Sequence, residues 1–192
     1  METTDLKNMI TIYSEATPNP ETMKFVLNRL LLPNDTADFT DAASAFDAPL
    51  AADLFNTFDY VRGVFLMNNF VTITKAEGAD WYDIIPTLKE FIKKHVEDDK
   101  PIINVRVEGI DHDDDTEIVK KIKELLDTHV KPAVEMDGGA ITFKSFEHGT
   151  VTVSLKGSCS GCPSSTVTLK AGIEGLLKRM IPEVSEVIAD AD

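Results

Sequence analysis

Two cysteines are separated by two residues in this chain, as Cys159 and Cys162 of the run Gly157-Ser-Cys-Ser-Gly-Cys-Pro-Ser-Ser165. They are the only cysteines among 192 residues. Thiolates at this spacing bind zinc or an iron-sulfur cluster, or they cycle between dithiol and disulfide. A tetrahedral thiolate site for zinc or for a cluster needs four ligands, and this pair supplies only two. The sequence therefore predicts half of a metal site, whose remaining ligands must come from elsewhere.

The cysteine loop is predicted to lie between a strand and a helix. Pro163 suits the first helical position, because its missing N–H would have no partner there. The positive end of the helix dipole and the free backbone N–H groups favour thiolate, which is the form that binds metal. Gly157 and Gly161 let the backbone bend sharply and approach a ligand closely. The loop serines, Ser158, Ser160, Ser164 and Ser165, could donate hydrogen bonds toward sulfur. We therefore predict Cys159 and Cys162 as the metal-binding and cofactor-binding residues.

The rest of the chain offers no convincing third or fourth ligand. His129 and His148 do not lie in an H-x-x-x-H pattern, and a lone surface or turn histidine is the commoner role. A thioredoxin-like site is a real competitor, with Cys159 as nucleophile and Cys162 as resolver, since strand, loop and helix are also its setting. The loop lacks an aromatic residue before the first cysteine and a Pro between the two. The residue types alone also leave open a bridging zinc ion or a pair of unligated thiols.

Composition limits the partners that the chain can bind. The net charge of -14 is spread evenly, with 17 acidic against 9 basic groups in residues 1–100 and 16 against 10 in residues 101–192. Phosphate backbones and anionic membranes are bound through clustered Lys and Arg, and this chain has no such cluster. No apolar run approaches the roughly 20 residues that cross a bilayer. We therefore expect no nucleic acid and no membrane as partner.

The N-terminal segment Met1-Glu-Thr-Thr-Asp-Leu-Lys7 contains early acids and no apolar core. It resembles neither a secretory signal nor an Arg-rich transit peptide. A reducing compartment also suits two free thiols better than it suits a structural disulfide. The sequence therefore predicts a cytoplasmic location, with a processed organellar protein as the alternative that would look the same.

Apolar periodicity predicts an α+β fold of two small domains. Residues 1–98 form the first domain, with a mixed or antiparallel sheet and helices, and residues 116–192 form the second, in the order α-β-β-α-β. Residues 99–115 form an acidic linker, with a hard-cation site as the minor alternative, because its spacing does not match an EF-hand loop. The predicted strands are residues 9–13, 23–27, 61–66, 70–74, 141–143, 151–155 and 184–188, and the predicted helices are residues 50–58, 81–96, 118–130 and 163–180.

Several local features support these elements. Asn68 and Asn69 tolerate positive φ, so the strands at residues 61–66 and 70–74 are expected to form a hairpin. Asp80 is the expected cap of the second helix, and Pro86 leaves the start of that helix uncertain. The third helix is expected to end at Lys131-Pro132, and Asp137-Gly138-Gly139 predicts a tight turn into a strand. The first domain shows no evident ligand, and its large aromatic residues are expected in the core. These aromatic residues are Trp81 and the Phe residues at positions 55, 58, 65, 70 and 91.

Two separate motifs in the second half carry a family resemblance. The segment Lys131-Pro-Ala-Val-Glu-Met-Asp-Gly-Gly139 and the segment Leu155-Lys-Gly-Ser-Cys-Ser-Gly-Cys-Pro-Ser-Ser-Thr166 resemble the NifU C-terminal (Nfu) domain, over roughly residues 116–190. The first half resembles the Nfu N-terminal domain, through Thr17-Pro-Asn-Pro20, Lys24-Phe25, residues 49–55, Thr72-Ile-Thr-Lys75 and Trp81. Ala140 departs from the family pattern, which commonly continues with Asp, at a position that is not a cluster ligand in the family.

The resemblance implies a function for the cysteine pair. In this family two protomers each supply one C-x-x-C pair, and a 4Fe-4S cluster is held between them by four thiolates. The chain is therefore expected to be a non-enzymatic iron-sulfur scaffold and carrier, a homodimer when cluster-bound, with a cluster donor and apo iron-sulfur target proteins as its partners. The first domain is expected to assist the recognition of those partners.

Overall fold

Five strands form the sheet of the N-terminal half. The computed structural model describes residues 9–104, 115–160 and 163–190. These residues fall into two units, one with residues 9–16 and 20–104 and the other with residues 17–19, 115–160 and 163–190. The acidic cluster of the predicted linker, at residues 111–114, lies outside the described residues. The domain boundaries inferred from the sequence stay a prediction.

The first unit contains one sheet and two helices. The strands are β1 (Ile12–Ala16), β2 (Thr22–Leu27), β3 (Leu32–Phe39), β4 (Val61–Asn68) and β5 (Phe70–Lys75), and the helices are α1 (Pro49–Thr57) and α2 (Trp81–Glu97). Neighbouring strands run antiparallel to one another, in the order β1-β2-β5-β4-β3. Strands and helices occur in both units, so the predicted α+β class is confirmed.

Strand β3 was not predicted from the sequence. It lies at the edge of the sheet, and its pairing with β4 shifts register between Leu32 and Thr36. Asn34 in this interval has a φ of 59° and follows Pro33. A bulge of this kind interrupts the two-residue alternation by which a strand is recognised in sequence, because the extra residue shifts the later side chains to the other face.

The first core forms where helices α1 and α2 pack on the sheet. Leu50 and Leu54 of α1 and Leu88 and Ile92 of α2 are fully buried in one cluster with residues of β2, β4 and β5. The predicted aromatic residues are buried or pack against the core, as expected: Phe65 and Phe70 are buried, and Phe55, Phe58, Trp81 and Phe91 pack against this cluster.

Two local predictions in the first unit are confirmed. Asn68 adopts a φ of 45° in the tight turn that joins β4 to β5. The side chain of Asp80 caps α2, accepting a hydrogen bond from the Tyr82 N–H at 2.8 Å. Pro86 lies inside α2, and the helix begins before it, at Trp81. Pro86 therefore leaves the Tyr82 carbonyl, four residues before it, without its helical N–H partner.

The second unit follows the predicted order of elements, with its first helix divided. It contains α3 (Glu117–Leu125), a π-turn (Leu126–Val130), α4 (Lys131–Met136), β6 (Gly139–Glu147), β7 (Thr150–Gly157), α5 (Pro163–Met180) and β8 (Glu186–Asp190). Strand β7 is central, antiparallel to β6 and parallel to β8. None of the helices in the described ranges is long and apolar enough to cross a membrane.

The prediction that the third helix ends at Lys131-Pro132 is wrong. The helical path continues to Met136, because the Lys131 N–H bonds to the Leu126 carbonyl five residues back and forms the π-turn. Pro132 has no N–H for the carbonyl four residues before it, and it lies at the start of α4, where that loss is tolerated. The continuation places Val134 in the second core, where it is 1% exposed.

Candidate metal centre

The β6–β7 hairpin positions the first cysteine. Its ladder runs from the pair Glu147 and Thr150 at the closed end to the pair Gly139 and Gly157 at the open end. Gly157 ends β7 with a φ of 66°, and Cys159 follows two residues later. The predicted order of strand, cysteine loop and helix is therefore confirmed, with α5 beginning at Pro163.

Cys159 is a buried thiol, with 6% of the residue exposed, and it belongs to the core cluster of this unit. The neighbouring Ser158 is also buried, at 2% exposure, and its hydroxyl oxygen lies 3.9 Å from the Cys159 Sγ. Cys162 lies outside the described residues. The assignment of Cys159 and Cys162 as ligands therefore remains a prediction.

The Asp137–Gly139 turn contacts the cysteine loop directly. Helix α4 ends in this turn, where the Asp137 N–H bonds to the Ala133 carbonyl at 3.1 Å and Gly138 adopts a φ of 82°. The Ser158 N–H donates to the Gly138 carbonyl at 3.3 Å, and the Ser158 hydroxyl donates to the Asp137 carbonyl. Two hydrogen bonds thus join the two motifs that are separated in the sequence.

Gly139 lies against the thiol of Cys159. A Cβ at this position would be 2.9 Å from the Cys159 Sγ and 2.6 Å from the main-chain oxygen of Lys156. Both distances are shorter than ordinary contacts of a methyl group, so only glycine fits here without movement of the strand or the sulfur. Ala140, the departure from the family pattern, is buried in β6 and pairs with Lys156.

The predicted turn at Asp137-Gly138-Gly139 is confirmed, but its contact with Cys159 was missed by sequence reasoning. Ser158 was expected as a hydrogen-bond donor toward sulfur; its hydroxyl oxygen does lie 3.9 Å from the Cys159 Sγ, but its bond to the Asp137 carbonyl was missed. A usable signal was present, because a hairpin closed at His148–Gly149 necessarily brings residues near 139 opposite residues near 157. Reading the hairpin register out to its open end would have joined the two motifs.

Neither histidine considered as a ligand completes the site. His148 lies in the turn at the closed end of the hairpin with a φ of 49°, and His129 is exposed in the π-turn. Within the described part of the chain, no three His, Cys, Asp or Glu side chains come together in a way that could hold a metal ion. The soft thiol of Cys159 fits thiolate ligation of zinc or iron.

Helix α5 follows the cysteine loop and is tied to β8 through Glu174. Its Oε1 accepts a hydrogen bond from Lys178 at 2.5 Å, and its Oε2 accepts one from the Val187 N–H at 3.2 Å. These two bonds, that of Lys178 first, lower the pKa of the Glu174 carboxyl from its ordinary value of 4.5. The helix also buries Ile173 and Leu177 in the second core.

Two family models match the chain, one for each half. The model described as "Scaffold protein Nfu/NifU N terminal" matches residues 12–99, and the model described as "NifU-like domain" matches residues 122–188. A solution NMR structure of a NifU-like protein from Saccharomyces cerevisiae is similar to part of the chain, with a TM-score of 0.46 and 20% identity. That similarity covers 55% of this chain and 94% of the yeast chain.

Curated relatives are similar along most of the chain. The protein named "NFU1 iron-sulfur cluster scaffold homolog, mitochondrial" from Drosophila sechellia is 42% identical over 180 residues, covering 92% of this chain and 63% of the relative. The human protein of the same name is 40% identical over 179 residues, covering 92% of this chain and 70% of the relative. The chain therefore spans about two thirds of the length of these relatives.

The cytoplasmic location predicted from the sequence is wrong. The relatives carry the word mitochondrial in their names, which points to mitochondria instead. The charge and apolar content of a folded domain reflect only an aqueous surrounding, and the cytoplasm and the interior of mitochondria are both aqueous. Location is set by an address that a receptor reads, and composition does not encode it.

The identity of the family rests on both halves together. The two family models follow one another in the order of the two units, and the relatives extend across both of them. The glycine turn, the hairpin and the cysteine loop that carry the resemblance also form one continuous structure at the open end of the hairpin. With relatives at 40% and 42% identity over 92% of its length, the chain belongs to the Nfu family of iron-sulfur cluster scaffold proteins.

Proposed function

We propose that this protein binds a 4Fe-4S cluster between two protomers, through Cys159 and Cys162 of each, and transfers it to apo iron-sulfur proteins. The observation that carries the proposal is the position of Cys159, a buried thiol at the open end of the hairpin. The sequence contains only one other cysteine that could bind the same metal site. The cluster is the cargo of the protein. We infer no catalytic role, and the mitochondrial relatives support action in mitochondria.

The ligand count favours two chains. A 4Fe-4S cluster is held by four thiolates, and each chain contains two cysteines. A two-fold axis beside the loop doubles two ligands into four, because the same surface of each protomer then meets its copy. A cluster shared at such an interface is released when the two chains separate, and release is what a carrier requires.

In this proposal the two units of the chain have different roles. The cysteines lie in the second unit, whereas the first unit shows no cysteine and no described cluster of metal-binding side chains. We assign to the first unit the recognition of the cluster donor and of the apo-protein that receives the cluster. This assignment follows from the absence of cluster ligands there and from the match of residues 12–99 to a scaffold-protein family model.

The decisive experiment is anaerobic reconstitution of the full chain with iron and sulfide. Iron, sulfide and zinc content, the absorption spectrum and the oligomeric state are measured on the same sample. We expect about four irons and four sulfides per dimer, with the dimer present only when the cluster is bound. Cys159→Ser and Cys162→Ser should each abolish cluster binding, because a dimer of either variant keeps only two thiolates.

The same samples test the other chemistries of a cysteine pair. Zinc in place of iron and sulfide would show a metal-bridged interaction module. Rapid turnover in an insulin-reduction assay, together with no iron binding, would show a thiol-disulfide oxidoreductase instead. Unchanged iron binding in Cys159→Ser would contradict the proposal directly.

A further inference from the structure

Ser158 is a buried polar residue between the two motifs of the site. The residue is 2% exposed, and its hydroxyl donates a hydrogen bond to the main-chain oxygen of Asp137. Its N–H donates to the Gly138 carbonyl at 3.3 Å. A buried hydroxyl is costly to place unless it is hydrogen-bonded, so this partner determines where the side chain lies. Through these bonds, the residue before Cys159 is held on the glycine turn from both its main chain and its side chain.

The glycine turn also limits the position of the Cys159 sulfur. Gly139 presents its Cα to the Sγ so closely that an added Cβ would be 2.9 Å away. The Ser158 hydroxyl oxygen lies 3.9 Å from the same sulfur. The sulfur is therefore confined by Gly139 and by Ser158, and both of these belong to the same hydrogen-bonded assembly.

We propose that Ser158 is a positioning residue for Cys159, which fixes the sulfur before the cluster arrives. The proposal rests on the proposed function, because its consequence is measured on the bound cluster. A chain that contributes only two thiolates depends on the placement of each, and a ligand that is already ordered loses less freedom on binding. Residues that orient metal ligands without touching the metal are known to alter metal affinity by large factors.

The chain contains a matched control for the loss of the Ser158 hydroxyl. Ser185 also donates its hydroxyl to the main-chain oxygen of a glycine turn, that of Gly149, at 3.1 Å. Gly149 lies at the closed end of the same hairpin, whereas Cys159 follows its open end. Ser158→Ala and Ser185→Ala therefore remove the same kind of bond from the same unit, and only the first lies beside the cysteine.

The first measurement uses the metal-free full chain. Amide hydrogen exchange of residues 157–160 should be roughly fivefold faster in Ser158→Ala than in wild type, since a hydrogen bond of ordinary strength is lost. Ser185→Ala should leave exchange of these amides unchanged. Thermal unfolding of both variants provides the comparison for general stability. Unchanged exchange in Ser158→Ala, or an equal rise in Ser185→Ala, would overturn the proposal.

The second measurement uses the same variants after anaerobic reconstitution. Loss of the cluster to an iron chelator should be about tenfold faster in Ser158→Ala, with the absorption spectrum of the bound cluster unchanged and Ser185→Ala equal to wild type. Faster exchange without faster cluster loss would make Ser158 a structural residue only, and the proposal would be wrong. If wild type binds no iron and sulfide, the proposed function fails, while the exchange data still decide whether Ser158 fixes Cys159.

Discussion

The two ends of the β6–β7 hairpin are built from the same parts and differ in what those parts contact. At the closed end, His148 and Gly149 both adopt left-handed φ values, and Ser185 donates its hydroxyl to the Gly149 carbonyl at 3.1 Å. At the open end, Gly138 and Gly157 adopt left-handed φ values, and Ser158 donates its hydroxyl to a carbonyl of the glycine turn.

Burial separates these two constructions. Ser185 is exposed, and its bond attaches the start of β8 to the hairpin turn. Ser158 is 2% exposed, and its bond attaches the cysteine loop to the Asp137–Gly139 turn. The hydrogen bond from a serine hydroxyl to the carbonyl of a glycine turn is therefore a structural feature that both ends of the hairpin share. The two bonds differ in their surroundings, because only the Ser158 bond lies beside a cysteine.

The largest expected effect comes from Gly139→Ala at the open end. The new Cβ would lie 2.6 Å from the Lys156 main-chain oxygen and 2.9 Å from the Cys159 Sγ, so the strand or the sulfur must move. We expect a loss of about 1–3 kcal/mol in the free energy of unfolding. Cluster retention should fall by about tenfold. Denaturant unfolding and chelator competition measure the two effects, and normal cluster retention would show that Gly139 does not place the sulfur.

A smaller effect is expected from Gly149→Ala at the closed end. This position has a φ of 84°, and the new Cβ would lie 2.7 Å from the Ser185 Oγ. The left-handed conformation costs a residue with a Cβ about 1–2 kcal/mol, which should appear in denaturant unfolding. Cluster binding should equal that of wild type once the protein is folded. A loss of cluster as large as that in Gly139→Ala would remove the distinction between the two ends.

The smallest effect is expected from Glu174→Gln, which weakens the link between α5 and β8. The Glu174 pKa is lowered in the folded protein, first by the Lys178 hydrogen bond and then by the Val187 N–H. The unfolded chain therefore binds this proton more readily, and the carboxylate stabilises the fold above pH 4.5, an effect that is lost as the pH falls through the lowered pKa.

Thermal unfolding of Glu174→Gln across this pH range provides the test. At neutral pH the variant should unfold about 2 °C below wild type, because exposed ion pairs contribute little. The difference should shrink as the pH falls below 4.5. A constant difference at every pH would mean that the charge of Glu174 does not stabilise the link.

Much of the fold could be predicted from local pattern. The helical stripe of α2, its Asp80 cap and the β4–β5 hairpin were predicted because each depends on residues close together in sequence. The failures have a different cause. A register shift hides the alternation of β3, and the π-turn before Pro132 carries the third helix past its predicted end. The first depends on the pairing of β3 with β4, and the second on a main-chain hydrogen bond from Lys131 to Leu126 that apolar periodicity does not reveal.

The sequence by itself determined that a strand and a helix flank the loop of the two cysteines, and it predicts that this pair carries the chemistry of the protein. Thiol chemistry and short-range periodicity depend on residue type and spacing, and both are visible in a linear chain. Only the tertiary structure decided that Gly139 and Ser158 confine the Cys159 sulfur. The contact of Gly139 with the sulfur joins residues about twenty positions apart, and it exists because the hairpin register brings Gly139 opposite Gly157.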